Sequence, residues 1–291
     1  MKVYWRYGCL LWLLLSLPLQ SMTQVRVPKA RSSTDISFDY YQGLLQRALE
    51  LGAKGRAVPA IVQTAEMEQG RAVRELSLNR SLDVIWLGAD SRHAPRLQAV
   101  PIPLERGLIG FRTLLVHQQR LPALDEVQQL DHLKKLYGCQ GLGWPDTDVL
   151  QNAGLKILTS PGFENLFKQV QAKRCDYFPR GLFEAATELR ERQALYPDLR
   201  EYSDLMLHYP LAIYFYTRAE DTVLQQWLTD GLEQMIDSGE LLKYMQQHPL
   251  TRHVFPLRQF KPSRWFEFVN PSLPDAALQN RRYWFSRDDF R

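Results

Sequence analysis

One stretch, residues 82–117, constrains the fold most strongly, because two apolar runs flank a polar bend. The runs, 82–87 and the one that begins at Leu108, are short, rich in β-branched and aromatic residues, and bounded by Gly, Pro or Asp. This pattern predicts buried strands. Ser91 and Arg96 lie in the bend. Because open α/β sheets bind ligands beyond the carboxyl ends of their strands, the bend is a candidate site.

The amino-terminal residues have the three-part pattern of a secretory signal peptide. Lys2 and Arg6 precede an apolar run at 9–19, which is too short to span a bilayer. Cleavage after Ser21 or Thr23 fits the sequence equally well, so we assign residues 1–23 to the signal. No later run reaches the roughly twenty apolar residues of a transmembrane helix. The sequence therefore predicts export to the periplasm.

Charge and cysteine content limit the possible partners and crosslinks. The formal net charge is +4 and falls to +2 once Lys2 and Arg6 are removed. Basic residues are spread along the chain, which argues against a nucleic-acid partner. Cys139 and Cys175 remain after cleavage, and exported proteins often form disulfides. We nevertheless expect no bridge, because the predicted elements place these cysteines near opposite ends of neighbouring parallel strands.

Alternating short strands and amphipathic helices dominate the order of elements, and 291 residues suffice for two small α/β units. The first unit comprises predicted strands at 25–27, 59–63 and 82–87 and helices at 40–51 and 70–78. The second comprises strands at 137–139, 156–158 and 175–178, with a Gly-containing turn at 140–145 and a helix at 163–172. A strand at 209–217 and a long helix at 221–236 follow. We expect the aromatic tail from Pro249 to pack as an irregular coat over the core.

This order, together with the segment LDVIWLGADSRHAPRL, resembles the extracytoplasmic solute-binding proteins of ABC transporters. Within them it is most similar to the polar amino-acid-binding group, over residues 25–248. The resemblance implies an α/β, two-lobed periplasmic-binding-protein-like fold (type II), with lobes joined by two crossing strands near 108–111 and 205–210. Lobe 1 would be residues 24–111 plus 209–291, and lobe 2 residues 112–208.

The resemblance also implies a ligand-binding cleft between the lobes. In that family an Arg after a Ser/Thr-rich turn holds the ligand carboxylate, and Ser91 and Arg96 match these positions. A guanidinium fork suits a planar carboxylate. The turn entering the first helix of the second lobe supplies backbone donors, which here would come from Gly141, Leu142, Gly143 and Trp144. Trp86, Tyr177 or Phe178 would supply apolar walls.

One departure from the family pattern concerns the ligand's ammonium group. Amino-acid receptors commonly bind this group with an Asp several residues into the strand that follows Asp176, where this chain has Arg180 and Gly181. If Arg180 enters the cleft, it favours a second negative charge on the ligand. The expectation is therefore an anionic or amino-acid-like solute. Arg71, at the start of its helix, is a further candidate, although a solvated charge is the simpler interpretation.

Catalytic and metal-binding signatures are absent from the sequence. The six histidines are dispersed, and no HExxH, paired CxxC, GxSxG or SxxK motif occurs. Glu184, Glu188 and Glu191 have helical spacing, which predicts a solvated helix face. We therefore expect no enzyme activity, no cofactor and no metal, but a monomeric binding protein whose partners are a small-molecule solute and a membrane permease or sensor. The alternatives are an exported enzyme on the same scaffold and a ligand-free interaction protein that works through its aromatic tail.

Overall fold

The computed structural model describes residues 22–30, 35–90, 92, 96–273, 278 and 280–291. Ser91 and nearly all of the predicted signal peptide lie outside these residues. Within the described ranges, no helix is long and apolar enough to cross a membrane. The same part of the chain contains no group of three or more His, Cys, Asp or Glu side chains arranged to hold a metal ion.

The first elements form a parallel β-α-β arrangement. Strands β1 (Gln24–Val27) and β2 (Ala60–Gln63) pair in parallel, with helix α1 (Ile36–Gly52) between them. Helix α1 begins where the Asp35 carboxylate accepts a 3.0 Å hydrogen bond from the Phe38 amide. Helix α2 (Gln69–Ser77) then leads to β3 (Ile85–Gly88).

A three-stranded antiparallel sheet follows. Strand β4 (Leu97–Ala99) and strand β10 (Ile213–Arg218) pair antiparallel, and β10 also pairs antiparallel with β3. The polar segment after β3 was not expected to contain a strand, and β4 forms because β10 provides its partner. The return strand predicted at 209–217 is confirmed with shifted ends.

A second set of elements resumes the β-α alternation. It contains α3 (Leu121–Asp125), α4 (Leu130–Leu133), β6 (Tyr137–Gly141), α5 (Pro145–Asn152), β7 (Lys156–Ser160) and α6 (Phe163–Gln171). Strands β6 and β7 pair in parallel, as the sequence predicts. The long helix predicted at 221–236 is α8 (Thr222–Asp237), which packs against α1. Helix α9 (Glu240–Gln247) follows it.

A further four-stranded sheet was not predicted. Its strands are β5 (Phe111–His117), β8 (Phe178–Gly181), β9 (Leu199–His208) and β11 (Arg264–Glu267). They lie in the order β11, β9, β5, β8. The strand predicted at 175–178 was expected to join the parallel strands of the second unit, and this is wrong. Tyr177 forms a single bridge to Gly138, whereas β8, which begins at Phe178, pairs antiparallel with β5. Helix α7 (Ala185–Arg192) lies between β8 and β9.

The two chain segments predicted to cross between lobes meet at one point of this sheet. Leu108–Gly110 form a 3₁₀ turn instead of the predicted strand, and Gly110 has no room for a Cβ beside the Tyr209 carbonyl. Phe111 then pairs with His208, and their rings stack 4.1 Å apart. Burial lowers the pKa of His208 to about 4.

Cys139 and Cys175 form a disulfide, so the expectation of two free cysteines is wrong. Their Cα atoms are 5.7 Å apart, inside the range of about 4.4–6.8 Å that a bridge requires. Cys175 is not at the far end of a strand but in the connection between α6 and β8. This connection runs beside β6, where the Cys139 amide donates to the Tyr177 carbonyl at 2.8 Å.

The aromatic tail packs on the core, as expected of a coat. Phe268, Phe285 and Phe290 are all buried in the main hydrophobic cluster. The tail is more regular than predicted, because Trp265 and Phe266 belong to β11, which pairs in parallel with β9. The tail therefore extends the same sheet that contains the two crossing segments.

Candidate functional site

Arg112, near the start of β5, is paired with Asp146 in the first turn of α5. Arg112 Nη2 lies 2.9 Å from Asp146 Oδ2, and both side chains are buried. Asp146 also accepts hydrogen bonds from Gln140 Nε2 at 2.7 Å and from the Tyr209 hydroxyl at 3.1 Å. A helix amino terminus favours a negative charge, which suits Asp146 to this position.

Glu184 lies three residues after Gly181, and its carboxylate folds back against the Gly181 backbone. The Gly181 amide donates to Glu184 Oε2 at 2.9 Å, and a Cβ on Gly181 would lie 2.8 Å from the same oxygen. The Glu184 carboxylate thus fills the space that a side chain at Gly181 would need. It also lies 3.4 Å from Arg112 Nη1, and its side chain is 20% exposed.

Arg180 is compensated by the chain's own carboxylates. It forms two hydrogen bonds with Glu188, at 2.7 and 2.5 Å, and its Nη2 lies 3.0 Å from Glu184 Oε1. Its guanidinium carbon is also 5.3 Å from the centre of the Trp144 ring. Arg180 is buried, so it does not provide the free positive charge that the anionic-ligand expectation required.

These five side chains form what we term the charged cluster: Arg112, Asp146, Arg180, Glu184 and Glu188. The predicted solvated helix face is wrong for two of its members. Glu188 is only 15% exposed and Glu184 20%, because α7 folds back so that both reach Arg180. The prediction holds for Glu191, which is 55% exposed.

Glu105, which the sequence analysis did not single out, lies near the charged cluster. It is fully buried, and the Tyr41 hydroxyl donates to its Oε1 at 2.5 Å. Burial raises the pKa of Glu105 to about 7, the Tyr41 hydrogen bond opposes this rise, and the negative charge of Glu184 adds to it. Trp86 packs beside this pair, with its ring centre 5.8 Å from that of Tyr41.

The predicted backbone-donor turn lies opposite the end of β3. Gly143, with a φ of 77°, presents its carbonyl to Arg92 Nη2 at 3.4 Å, and Arg92 also lies 3.7 Å from Asp148. Gly141 lacks room for a side chain because the Trp144 ring covers it. Leu142 is 63% exposed. Arg92 therefore joins the two regions that the sequence predicted to face one another.

The remaining predicted site residues are scattered. Arg96 is exposed in the turn before β4, and no described residue forms a hydrogen bond or ion pair with it. Its predicted companion Ser91 lies outside the described residues. Arg71 is exposed on α2. Tyr177 and Phe178 are fully buried in core clusters, so neither is a wall of an open cleft.

Two signals for the missed residues were present in the sequence. Arg112 is a cation inside an apolar strand, and Glu105 lies between apolar and proline-rich segments. Charged residues in such settings are rarely buried unless they are paired. Neither signal identifies the partner, because each partner comes from a distant part of the chain.

Comparison with known proteins identifies the fold. No protein-family model matches the chain, and no curated protein sequence does. An ancestral arginine-binding protein bound to arginine is 13% identical with a TM-score of 0.56, covering 78% of this chain and 98% of that one. The periplasmic VFT2 domain of Bordetella pertussis BvgS is 16% identical with a TM-score of 0.60, covering 78% and 94%.

A third solved structure comes from a transporter. The amino acid ABC transporter substrate-binding protein AbpA of Streptococcus pneumoniae, bound to L-arginine, is 13% identical with a TM-score of 0.52, covering 70% of this chain and 82% of that one. At such identities the likeness concerns the fold alone. The expected fold class is confirmed: the chain has the two-lobed α/β fold of periplasmic binding proteins.

Proposed function

We propose that this protein is an exported solute-binding protein that captures a small amino-acid-like solute between its lobes. The observation that carries the proposal is the Glu184 carboxylate over Gly181. It supplies an anion at the position where the sequence pattern lacks the ammonium-binding Asp of amino-acid receptors. A partly desolvated carboxylate binds an ammonium group through charge-assisted hydrogen bonds.

The proposal assigns the two ends of the ligand to different lobes. We take lobe 1 as residues 24–111 plus 209–291 and lobe 2 as residues 112–208. Glu184 of lobe 2 binds the ammonium group, while Arg96 of lobe 1, with Ser91, binds the carboxylate. Arg96 suits this role because its exposed guanidinium has no protein partner among the described residues. Trp86 and Trp144, both half-buried, flank the ligand.

The charge balance favours a zwitterion over a dianion. The charged cluster contains three carboxylates and two guanidinium groups, and each guanidinium is already paired. A second anionic group on the ligand would therefore meet no free cation in the cluster. This argument replaces the anionic-ligand hypothesis that rested on Arg180.

The proposed setting is the periplasm, after cleavage of the signal peptide near residues 21–23. Some proteins with this fold are named as transporter components and others as sensor domains. We infer that the monomeric, ligand-bound form is recognised by a membrane permease or sensor. Closure around a ligand changes the exposed surface, which gives such a partner a state to distinguish.

A ligand screen on the mature chain tests this function. Thermal shift and calorimetry would compare L-amino acids with their decarboxylated amines, their deaminated acids and dicarboxylates. A ligand that binds only the folded state raises the melting temperature. We expect amino acids to bind more tightly than either truncated analogue. A dicarboxylate that binds as tightly as the best amino acid would contradict the zwitterion assignment.

A matched pair of variants tests the role of Glu184. Glu184→Gln should weaken amino-acid binding at least about tenfold, because it removes the charge that pairs with the ammonium group. Glu191→Gln, on the same helix but 55% exposed, should leave binding unchanged. Equal affinity in the wild type and Glu184→Gln would refute the assignment.

An exported enzyme on the same scaffold is the second candidate. The observation in its favour is that one solved structure with this fold, an ancestral amino-acid-binding protein that is 15% identical with a TM-score of 0.53, is named as a precursor of cyclohexadienyl dehydratase. Mass spectrometry of the best ligand after incubation separates the candidates, because only an enzyme changes the ligand. A screen without any stabilising solute would favour the ligand-free interaction protein.

A further inference from the structure

The carboxyl-terminal tail forms a groove that the proposed solute site does not use. It has a volume of about 890 Å³ and lies between two short 3₁₀ turns, Leu257–Gln259 and Arg287–Phe290. Its ten lining residues come from two segments of the tail, 256–265 and 287–291.

The exposed rim of the groove is basic and its deeper part is apolar. Arg258, Lys261, Arg287 and Arg291 are all exposed, and the lining contains no acidic residue. By contrast, the apolar members Phe260, Pro262, Trp265 and Phe290 are partly or fully buried. The groove therefore offers positive charge around an apolar surface that solvent can reach.

Most of this positive charge has no carboxylate partner. Arg258 and Lys261 form no ion pair with any described residue, and Arg287 lies over the Trp265 ring at 5.1 Å. Arg291 alone is paired, with Asp288 at 2.9 Å. Uncompensated cations around one groove create a local positive potential that attracts anionic groups.

The charge distribution of the whole chain supports the same conclusion. Residues 251–291 contain eight Lys and Arg against four Asp and Glu, an excess equal to the net charge of +4 of the entire chain. Net positive charge is therefore concentrated in this tail, although basic residues occur along the whole chain. Beside the groove, burial and the positive charges of Arg190 and Arg252 lower the pKa of His253.

We propose that this groove binds an acidic, extended segment of a partner protein, one that carries apolar side chains between its carboxylates. An exposed ion pair is weak by itself, so a small anion held by one or two rim cations would bind poorly. A segment that pairs with several cations and also covers Phe260, Pro262 and Trp265 gains from both ion pairing and the burial of apolar surface. Arg supplies three of the four rim cations, and its planar fork matches carboxylates.

Fluorescence anisotropy with the mature chain tests the proposal. The probe is a labelled peptide in which Glu and Asp alternate with Leu and Phe, compared with its Gln and Asn counterpart. We expect the acidic peptide to bind, more weakly as salt rises, and the neutral peptide not to bind. The double variant Arg258→Glu/Lys261→Glu should weaken binding at least about tenfold.

The control is Arg74→Glu/Lys243→Glu, which makes the same change in net charge at exposed cations on α2 and α9. An equal loss of affinity in this control would reduce the groove to a non-specific charge effect and overturn the proposal. The proposal would also be overturned if the acidic peptide did not bind. The same holds if the groove bound anionic lipid vesicles or a single-stranded oligonucleotide in place of the peptide. Circular dichroism of both double variants verifies that they are folded.

Discussion

Arg112 Nη2 lies 2.9 Å from Asp146 Oδ2, with each side chain about 3% exposed, and this pair joins β5 to the first turn of α5. Tyr209, from the segment after β9, completes the contact through its hydroxyl. Three distant parts of the chain thus meet at one buried ion pair. The ion pair therefore links separate parts of the fold. Glu184 connects it to Arg180 and so to the rest of the charged cluster.

Asp146→Asn should be strongly destabilising. Removing Asp146 leaves the buried Arg112 charge with the Glu184 carboxylate, 3.4 Å away, as its remaining partner in the charged cluster. Breaking one pairing of a buried charge costs about 3–5 kcal/mol in the free energy of unfolding. Tyr209→Phe keeps the ion pair and removes one hydrogen bond, so it should cost only about 1 kcal/mol. Urea unfolding of both variants checks this order, and equal losses would contradict it.

Reduction of the Cys139–Cys175 disulfide should lower stability. The bridge spans 36 residues, and closing a loop of that length stabilises the folded state by about 3–4 kcal/mol. Urea unfolding with and without dithiothreitol measures the difference. In Cys139→Ser/Cys175→Ser the reductant should have no effect, and any remaining effect would point to another cause.

Glu105 should give the protein a stability that falls as pH rises toward neutrality. Folding raises its pKa from 4.5 to about 7, so the folded protein holds a proton that the unfolded chain releases in this interval. Its contribution is complete below pH 4.5 and is lost as pH rises through about 7. The size of this contribution is about 3 kcal/mol.

Comparison with Glu105→Gln isolates that contribution. His208 has a lowered pKa, so it makes stability rise with pH below the ordinary histidine pKa of 6.5. This contribution is the same in the wild type and in Glu105→Gln, and the comparison removes it. The wild type should therefore lose stability relative to the variant between pH 5 and pH 7, as followed by thermal unfolding. Parallel curves would show that Glu105 does not titrate in this range.

Two glycines of one turn should respond differently to alanine. A Cβ at Gly141 would overlap the Trp144 ring, so Gly141→Ala should displace that ring and change the tryptophan fluorescence. A Cβ added at Gly143 would have nothing within 4 Å, so the cost of Gly143→Ala is that of the left-handed backbone alone, about 1 kcal/mol. Thermal unfolding and fluorescence of both variants distinguish steric overlap from backbone strain, and similar spectra would contradict the distinction.

Local sequence patterns predicted α1, α2, α6 and α8 and the parallel pairs β1–β2 and β6–β7, because their signals lie within short windows. Helix α1 shows this well, since its apolar spacing, Asp35 cap and terminal Gly52 are all adjacent in sequence. Strand β8 could not be predicted in the same way, because it reads Phe-Pro-Arg-Gly and has a composition typical of a turn. It is an edge strand that depends on its pairing with β5.

The candidate site was harder to predict than the fold. Arg180 was identified as a cation near the second lobe's cleft-forming elements, but its charge depends on Glu188 and Glu184, which only the packing of α7 brings to it. The disulfide was missed for a related reason: the path of the chain between α6 and β8 is set by tertiary contacts. Patterns in the sequence specify which groups are present, whereas charge compensation depends on which of them meet.

The residues tolerated at Gly181 and at Glu184 depend on each other. The carboxylate occupies the space of the absent side chain, so any larger residue at Gly181 displaces Glu184 even when Glu184 itself is unchanged. Loss of Glu184, in turn, frees Gly181 to accept a side chain. The effects of substitutions at the two positions should therefore not add: a side chain at Gly181 should cost less in a protein that already lacks Glu184.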